Sequence, residues 1–284
     1  MPYANPEVLV STEWVAGHLN EPGIRLIEVD VDTTAYDSGH IAGAVGWNWQ
    51  SQLNDAVQRD VPDAQTFARL LGQAGVTPRT TVILYGDNNN WFAAYAFWLL
   101  QLYGHKAARL MDGGRAKWST EGRPLVTERP AVVPTTYPVP KRLNTALRAR
   151  RADVERALKA KGTALVDVRS PAEFTGDIIA PPGLPETAQR PGRIPGARNV
   201  PWSQAVAPDG TFKPREELER LYSDAGVIDG KGRGVIAYCR IGERSSHTWF
   251  ALTYLLGVPK VKNYDGSWTE WGNLVGAPIA KGAA

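Results

Sequence analysis

The chain has 284 residues, of which 43% are hydrophobic and 21% are charged. This ordinary globular composition excludes a disordered, collagen-like or coiled-coil protein, and at roughly 100 to 200 residues per domain the length predicts two domains. The formal net charge is only +3. Because the basic side chains are also interspersed with acidic ones, we expect neither nucleic acid nor an anionic membrane surface as a partner.

Membrane, secretion and metal signals are weak. The longest apolar run, residues 91–100, is about half as long as a membrane span. The first residues lack the basic start and apolar stretch of a secretory signal, so we expect a cytoplasmic protein. The single cysteine, Cys239, excludes an intramolecular disulfide and a multi-cysteine metal site. The four histidines show no ligand spacing, and we predict no bound metal and no cofactor.

Strand-like and helical stretches alternate along the first half of the chain. Short apolar runs predict strands at residues 26–29 and 82–85, and helices are predicted over residues 62–74 and 91–103. A nearly continuous apolar strand implies burial on both faces of the sheet. The alternation therefore predicts an α/β domain with an open parallel sheet and helices on both faces.

A proline-rich stretch follows this first domain. Five prolines fall between residues 124 and 140, among Arg, Lys, Thr and Val and without a helical or strand period. We predict a linker over residues 125–147, between an N-terminal domain of residues 1–124 and a C-terminal domain of residues 148–284. The prolines favour extended backbone, so we expect the linker to lie along the surface.

The second half of the chain repeats the first. At an offset of 153 positions, His40-Ile-Ala-Gly-Ala44 lies over Arg193-Ile-Pro-Gly-Ala197, and further Trp, Phe and Asp-Gly identities follow. Upstream the offset is 139, where residues 26–29 match residues 165–168, so the second copy carries a 14-residue, proline-rich insertion around residues 178–191. A repeat of this length is a duplicated domain, since solenoid repeats are much shorter.

The only thiol follows the strand predicted at residues 235–238. In open parallel sheets ligands bind beyond the carboxyl ends of the strands, where this chain places Cys239-Arg-Ile-Gly-Glu-Arg244-Ser-Ser and then a helical stretch, residues 247–256. A strand, a tight turn and a helix N-terminus form an anion cradle. We expect Ser245 or Ser246 to be the N-cap of that helix.

The charges beside Cys239 predict an activated nucleophile. Arg240 and Arg244 lie within five positions of the thiol, so we expect a lowered pKa for Cys239 and a thiolate at neutral pH. We expect Glu243 to pair with an arginine or to shape the loop. The matching loop of the first copy begins with Gly86-Asp87 and has no nucleophile, which predicts a catalytically silent first domain.

These motifs resemble the rhodanese family, in particular its tandem-domain thiosulfate sulfurtransferases. The resemblance covers nearly the whole chain and rests on four kinds of motif: the two copies of the domain-start motif at residues 40–44 and 193–197, Asp167-Val-Arg169, the loop from Cys239 to Arg244, and Asp265-Gly-Ser-Trp268. It implies that Cys239 attacks the outer sulfur of a donor, that sulfite leaves, and that a thiophilic acceptor takes the persulfide sulfur. Such acceptors are cyanide, a small dithiol or a dithiol protein such as thioredoxin.

The resemblance also implies a set of site residues. Two positions depart from the thiosulfate-specific pattern, since Ile241 and Glu173 stand where those relatives often carry basic residues. Three residues have supporting roles in this prediction, namely Asp167, Asp265 and Trp268. The predicted substrate-binding residues are Arg240, Ile241, Gly242, Glu243, Arg244, Ser245, Arg169 and Arg193.

Three alternative functions stay open. Relatives that prefer 3-mercaptopyruvate tend to have a small uncharged residue after the cysteine, whereas this chain has Arg240. Cysteine phosphatases and arsenate reductases enclose five residues between Cys and Arg, whereas Cys239 and Arg244 enclose four. The third alternative is a noncatalytic binding module, against which the intact cysteine loop argues. We therefore expect a thiosulfate sulfurtransferase.

Overall fold

A computed structural model describes residues 1–160, 162–183 and 187–283. The chain divides into two compact units. The N-terminal unit contains residues 7–144 with residues 208–212, and the C-terminal unit contains residues 1–6, 145–207 and 213–284. Residues 184–186, within the predicted insertion, lie outside the described residues.

The N-terminal unit is built on a five-stranded parallel sheet. In space the strands follow the order β1-β5-β4-β2-β3, and every pair is parallel. The central strand, β4, is almost entirely apolar because both of its faces are covered. The strands are β1 (Leu9–Val10), β2 (Ile24–Asp30), β3 (Val45–Asn48), β4 (Thr81–Tyr85) and β5 (Ala108–Met111).

Helices connect these parallel strands. Ten of the twelve residues of the helix Trp91–Leu102 are buried, which explains why its sequence is apolar on every side. Asp63 caps the helix Ala64–Gln73 by accepting the Thr66 N–H at 2.8 Å. The helices are α1 (Thr12–Gly17), α2 (Thr34–Ser38), α3 (Trp49–Gln52), α4 (Ala64–Gln73), α5 (Trp91–Leu102) and α6 (Gly114–Thr120).

The C-terminal unit repeats this sheet. Its four parallel strands follow the order β7-β6-β8-β9, the same order as β3-β2-β4-β5 of the first sheet. A single parallel bridge between Arg148 and Asn263 stands where the first sheet has β1. The strands are β6 (Thr163–Asp167), β7 (Arg198–Asn199), β8 (Gly234–Tyr238) and β9 (Val261–Tyr264).

The helices of the C-terminal unit complete the duplicated α/β architecture, and the predicted fold class is confirmed. The predicted helical stretch over residues 247–256 begins earlier, at Glu243, and changes to a π-helix over Ala251–Leu255. Among the described residues, none of the helices is both long and apolar enough to span a bilayer. The helices are α7 (Arg151–Lys159), α8 (Pro171–Thr175), α9 (Arg215–Asp224), α10 (Glu243–Phe250) and α11 (Ser267–Trp271).

The proline-rich stretch is held by backbone contacts of the N-terminal unit. Residues 127–144 form neither helix nor strand, and Val126 makes an antiparallel bridge with His40. The Thr135 N–H donates to the Gly72 carbonyl at 2.9 Å, and the Thr135 hydroxyl donates to the Val76 carbonyl at 2.5 Å. The extended backbone favoured by the prolines therefore lies against α4 and the turn that follows it.

Truncating a side chain of the central strand should destabilise the protein. Leu84 lies in β4 and is fully buried, so Leu84→Ala leaves a cavity and should lower the free energy of unfolding by about 2–5 kcal/mol. Urea unfolding followed by tryptophan fluorescence measures this loss. Val57→Ala is the control, because Val57 is 94% exposed and its truncation should change stability by less than about 0.5 kcal/mol. Equal effects of the two changes would contradict the assigned core.

Candidate active site

Cys239 lies at the carboxyl end of the central strand β8. The neighbouring strand β6 ends in register with it, since Asp167 pairs with Tyr238. Cys239 therefore follows the strand at the sheet edge where ligands bind in parallel α/β folds. The thiol is fully buried. We call residues 239–244 the cysteine loop.

Four groups surround the sulfur atom. The Gly242 N–H donates to Cys239 Sγ at 3.1 Å, and the thiol donates to Glu243 Oε2 at 3.3 Å. The hydroxyl oxygens of Ser245 and Ser267 lie 3.6 Å and 4.0 Å from Sγ. The sulfur thus faces one backbone donor, two hydroxyl groups and one carboxylate.

The start of α11 fixes the backbone of the cysteine loop. The Cys239 N–H donates to the Ser267 hydroxyl at 3.0 Å, and the Cys239 carbonyl accepts the Trp268 N–H at 3.1 Å. The Arg240 carbonyl accepts both the N–H and the hydroxyl of Thr269, each at 3.0 Å. Residues of α11 therefore bind the N–H and the carbonyl of Cys239 and the carbonyl of Arg240.

Both the backbone conformation and the lack of space require a glycine at position 242. Its φ of +103° lies in the left-handed region, and a Cβ there would lie 2.9 Å from the Cα and Cβ atoms of Asp265. Asp265 is itself fixed by a buried bidentate ion pair, in which Arg148 Nε and Nη2 donate at 2.7 Å and 2.6 Å. Asp265 is therefore held against Gly242, at the start of α10.

The prediction that Ser245 or Ser246 caps the helix is wrong. The N-cap of α10 is Gly242, because its left-handed conformation turns the chain into the helix before either serine is reached. The Ser245 and Ser246 hydroxyls instead lie 3.1 Å and 2.8 Å from the Gly242 carbonyl. Ser245 also donates to Asn263 Oδ1 at 2.6 Å, so these side chains bind the first turn to β9.

Arg244 makes a buried ion pair with Glu173. Its Nη1 and Nη2 atoms donate to the two carboxylate oxygens of Glu173 at 3.0 Å and 3.1 Å, and its Nε lies 3.7 Å from Glu243 Oε1. Burial alone would raise the pKa of Glu173, but the hydrogen bonds and charge of Arg244 lower it below the usual range. Burial would also lower the pKa of Arg244, yet its carboxylate partners raise it.

The expected lowering of the Cys239 pKa is wrong. Complete burial raises the pKa of the thiol, the charge of Glu243 raises it further, and Arg244 only partly opposes them. The lowered pKa was expected from the two loop arginines alone, without the effect of burial or of the Glu243 charge on the thiol. Glu173 stands where a basic residue was expected from the thiosulfate-specific pattern. In the structure it is the ion-pair partner of Arg244.

The other predicted basic residues bind protein groups. Arg169 is fully buried, and its Nε and Nη2 donate to the two oxygens of Asp167 at 2.9 Å and 2.6 Å. Its guanidinium lies 4.5 Å from the ring centroid of Trp268. Arg193 donates to the carbonyls of Gly282 and Ala283 at 2.6 Å and 3.3 Å. Arg169 thus links Asp167 to Trp268, and Arg193 binds the C-terminal segment. Since both arginines are engaged with protein groups, these contacts do not support donor binding by Arg169 or Arg193.

The remaining predicted positions lie within the loop itself. Arg240 is 9% exposed and Ile241 is 3% exposed, so the loop closes around the sulfur with an arginine and an apolar side chain. Sequence reasoning missed Ser267 and Asn263. The Asp-Gly-Ser-Trp motif contained a signal for Ser267, but the role of Asn263 depends on where β9 lies and had no local signal.

The corresponding loop of the N-terminal unit has no room for a thiol. A Cβ on Gly86 would lie 2.3 Å from the Val29 carbonyl oxygen. The Gly86 N–H donates to Asn90 Oδ1 at 3.0 Å, and the Asp87 N–H donates to Asp30 at 2.7 Å. Burial raises the pKa of Asp30 to about 8. This loop is thus filled by its own side chains. Among the described residues, no group of three or more His, Cys, Asp or Glu side chains could hold a metal ion.

The structure thus has two duplicated parallel-sheet domains, with a buried cysteine in the strand-to-helix loop of the second and a glycine at the matching position of the first. The chain belongs to the family of the rhodanese-like domain, which matches residues 11–121 and 151–274. The family assignment agrees with the resemblance inferred from the motifs.

Two related proteins and a solved structure are similar over nearly the whole of this chain. The sulfur carrier protein TtuD of Thermus thermophilus is 56% identical over 286 residues, covering 99% of each chain. A protein of Mycolicibacterium smegmatis named "Putative thiosulfate sulfurtransferase" is 56% identical over 281 residues, covering 99% of this chain and 100% of its own. The anaerobic ergothioneine biosynthesis enzyme of Chlorobium limicola, solved with trimethyl histidine, is 25% identical with a TM-score of 0.85, covering 99% of this chain and 71% of its own. These similarities support a sulfurtransferase activity.

Removing the charge of Glu173 should destabilise the cysteine loop. Glu173→Gln leaves the buried Arg244 without an ionised partner, which should lower the free energy of unfolding at pH 7 by about 3–5 kcal/mol. Because the pKa of Glu173 is lowered in the folded state, its stabilising contribution is present above its ordinary pKa and is lost as the pH falls through the folded value.

The deficit of Glu173→Gln against wild type should therefore shrink in acid. Urea unfolding at pH 7 and near pH 3 measures both values, because the contribution is lost only well below the ordinary carboxyl pKa. Glu217→Gln is the matched control, because Glu217 is exposed on α9 and its amide variant should unfold like wild type. A pH-independent deficit would show that Glu173 acts through packing and not through its charge.

Proposed function

We propose that this protein is a thiosulfate sulfurtransferase that carries sulfur on Cys239. Cys239 attacks the outer sulfur of thiosulfate, sulfite leaves, and the persulfide sulfur passes to a thiophilic acceptor. The observation that carries the proposal is the environment of Sγ. The only thiol of the chain lies fully buried at the end of β8 and accepts the Gly242 N–H at 3.1 Å.

This geometry suits a persulfide anion. The donors at the start of a helix stabilise negative charge placed before them, and Gly242 is both the N-cap of α10 and the donor to the sulfur. A preorganised N–H group needs no rearrangement when the charge develops. The four residues between Cys239 and Arg244 form a small loop that fits a single added sulfur atom.

Arg240 favours thiosulfate over 3-mercaptopyruvate as the donor. Thiosulfate is a compact dianion and needs charge-assisted donors in a partly desolvated site. Arg169 and Arg193 are engaged with protein groups, and Arg244 shares its charge with Glu173. Arg240 lies directly after the nucleophile and is 9% exposed, and by this position it is the residue on which donor preference depends. Cyanide, a small dithiol or a dithiol protein of the thioredoxin kind would accept the sulfur.

The first prediction of this proposal is a covalent adduct on one residue. Incubation with thiosulfate should add one sulfur atom to the intact protein mass, because Cys239 is the only thiol. Cys239→Ser should show no adduct and no transfer to cyanide. A variant that still turned over thiosulfate at the wild-type rate would refute the assignment, and would place the chemistry outside the cysteine loop.

The second prediction concerns the donor. Arg240→Ala removes one charged hydrogen bond to a bound anion, which is worth about 1.5–3 kcal/mol, so kcat/KM for thiosulfate should fall by roughly ten- to a hundredfold. The loss for 3-mercaptopyruvate should be smaller, since it carries a single carboxylate. Steady-state kinetics with both donors measure the two losses.

The matched control is Arg220→Ala, because Arg220 is exposed on α9 and should leave both values of kcat/KM unchanged. Equal losses with the two donors in Arg240→Ala, or a wild type faster with 3-mercaptopyruvate, would refute the preference for thiosulfate. Either result leaves the persulfide on Cys239 standing.

A further inference from the structure

Glu243 is poorly placed to bind the donor, although the sequence analysis included it among the substrate-binding residues. Its Oε2 atom accepts a hydrogen bond from the Cys239 thiol at 3.3 Å, and its side chain is almost fully buried. A buried carboxylate at this distance repels an anionic donor. A negative group beside an anion-binding nucleophile therefore needs a different explanation.

The charges around the sulfur indicate that Cys239 and Glu243 hold one proton between them. Glu173 and Glu243 both face Arg244, at 3.0 Å and 3.7 Å. A thiolate on Cys239 together with both ionised carboxylates would place three negative charges on one arginine. Uncompensated buried charge costs several kcal/mol per ion. A thiol that donates to a carboxylate, as Cys239 does to Glu243, avoids the third negative charge.

The neighbouring hydroxyl groups cannot take this proton. Neutral hydroxyls are weak bases, and both already donate to oxygen atoms. The Ser267 hydroxyl donates to the Tyr264 carbonyl at 2.6 Å, and the Ser245 hydroxyl donates to Asn263 Oδ1 at 2.6 Å. The carboxylate of Glu243 is the basic group within hydrogen-bonding distance of Sγ.

We propose that Glu243 is the catalytic proton acceptor for Cys239. The inference rests on the proposed function. When the donor binds, the proton moves from Sγ to Glu243 Oε2, and the sulfur lone pair attacks the outer sulfur of the donor. The sulfur–sulfur bond of thiosulfate breaks, and its electron pair leaves with sulfite.

The proton stays on Glu243 while the persulfide exists. An acceptor such as cyanide takes the outer sulfur and leaves a thiolate on Cys239, and Glu243 then returns the proton. The pair carries one negative charge as thiol plus carboxylate and again one as persulfide anion plus carboxylic acid. The buried site thus keeps its charge in both halves of the cycle, and Arg244 needs no new partner.

Two nearby carboxylates are already paired with arginines, and the nearby histidine is neutral. Asp265, against which Gly242 packs, is paired with Arg148, and Asp167 is paired with Arg169. His247 lies on the same helix, where burial lowers its pKa to about 3 and keeps it neutral. Among the described residues, the groups in contact with Cys239 or Glu243 include Gly242, Arg244, Ser245 and Ser267. Glu173 contacts Arg244, and Arg240 is the charged residue next to Cys239 in the chain.

The test compares the pH dependence of two quantities in wild type and Glu243→Gln. The first is the ionisation of Cys239, read by the ultraviolet absorbance of the thiolate, which needs no donor. The second is the rate of sulfur loading from thiosulfate, read by intact mass in rapidly quenched samples between pH 6 and pH 9.

In wild type, the rate of sulfur loading should be higher than the amount of thiolate seen by absorbance can explain. This rate should also change little with pH. In Glu243→Gln the thiolate should titrate at lower pH, because a negative neighbour is lost. Loading should then parallel the thiolate absorbance, with about a tenfold change per pH unit below the thiol pKa. Per unit of thiolate absorbance, wild type should load about a hundredfold faster at low pH.

Two further variants sharpen the result. Glu243→Asp keeps a carboxylate and should restore part of the pH-independent loading. Glu219→Gln changes an exposed glutamate of α9 and should give both wild-type profiles. A Glu243→Gln variant that is slower by one constant factor at every pH, or unchanged at every pH, would overturn the proton-transfer role. So would wild-type loading that parallels its own thiolate absorbance.

The failure of the proposed function gives a different pattern. If wild type takes up no sulfur from thiosulfate, the donor assignment fails. The absorbance titrations still report the thiol–carboxylate pair, and loading is then compared with polysulfide as the sulfur source. An unchanged thiolate titration in Glu243→Gln would overturn the inference whatever the donor.

Discussion

Arg244 brings a positive charge into a loop whose residues are all buried, and the geometry of the site follows from how that charge is balanced. Glu173 binds it bidentately from α8, at 3.0 Å and 3.1 Å, while Glu243 approaches its third nitrogen at 3.7 Å. Because buried charges are tolerated only when paired, α8 must lie where it does for the cysteine loop to close. The same pairing leaves Glu243 turned toward the sulfur.

The two copies show that the fold and the chemistry are separable. In each sheet the tyrosine that ends the central strand accepts a backbone N–H from the domain-start motif, Ile41 to Tyr85 at 3.1 Å and Ile194 to Tyr238 at 3.2 Å. The next residue differs. Gly86 is pressed against the Val29 carbonyl, whereas the sulfur of Cys239 lies within the loop, between the Gly242 N–H and the carboxylate of Glu243. The scaffold is shared by both copies, and only the second leaves space for a nucleophile.

Periodicity and repetition predicted the fold because burial acts on whole strands and is visible as apolar runs. The same reasoning located Cys239 at the end of β8. It could not predict the raised pKa of Cys239, since that depends first on how completely the loop is enclosed, which only the tertiary structure shows. The helix start was mispredicted for a similar reason. The left-handed conformation of Gly242 against Asp265 is a tertiary fit, and serine preferences at N-caps do not report it.

A protonated resting thiol has a consequence for the stability of the nucleophile itself. Oxidation of cysteine follows thiolate character and exposure, and Cys239 is fully buried with a raised pKa. A permanently ionised and exposed thiolate would react with any oxidant or electrophile that reached it. If the proton leaves Cys239 only as the donor binds, the thiolate exists mainly in the presence of the sulfur atom it attacks. Burial and the carboxylate of Glu243 then disfavour ionisation of the thiol at rest, and the same carboxylate takes the proton during the reaction. In this way a loop that raises the thiol pKa can still belong to a sulfurtransferase.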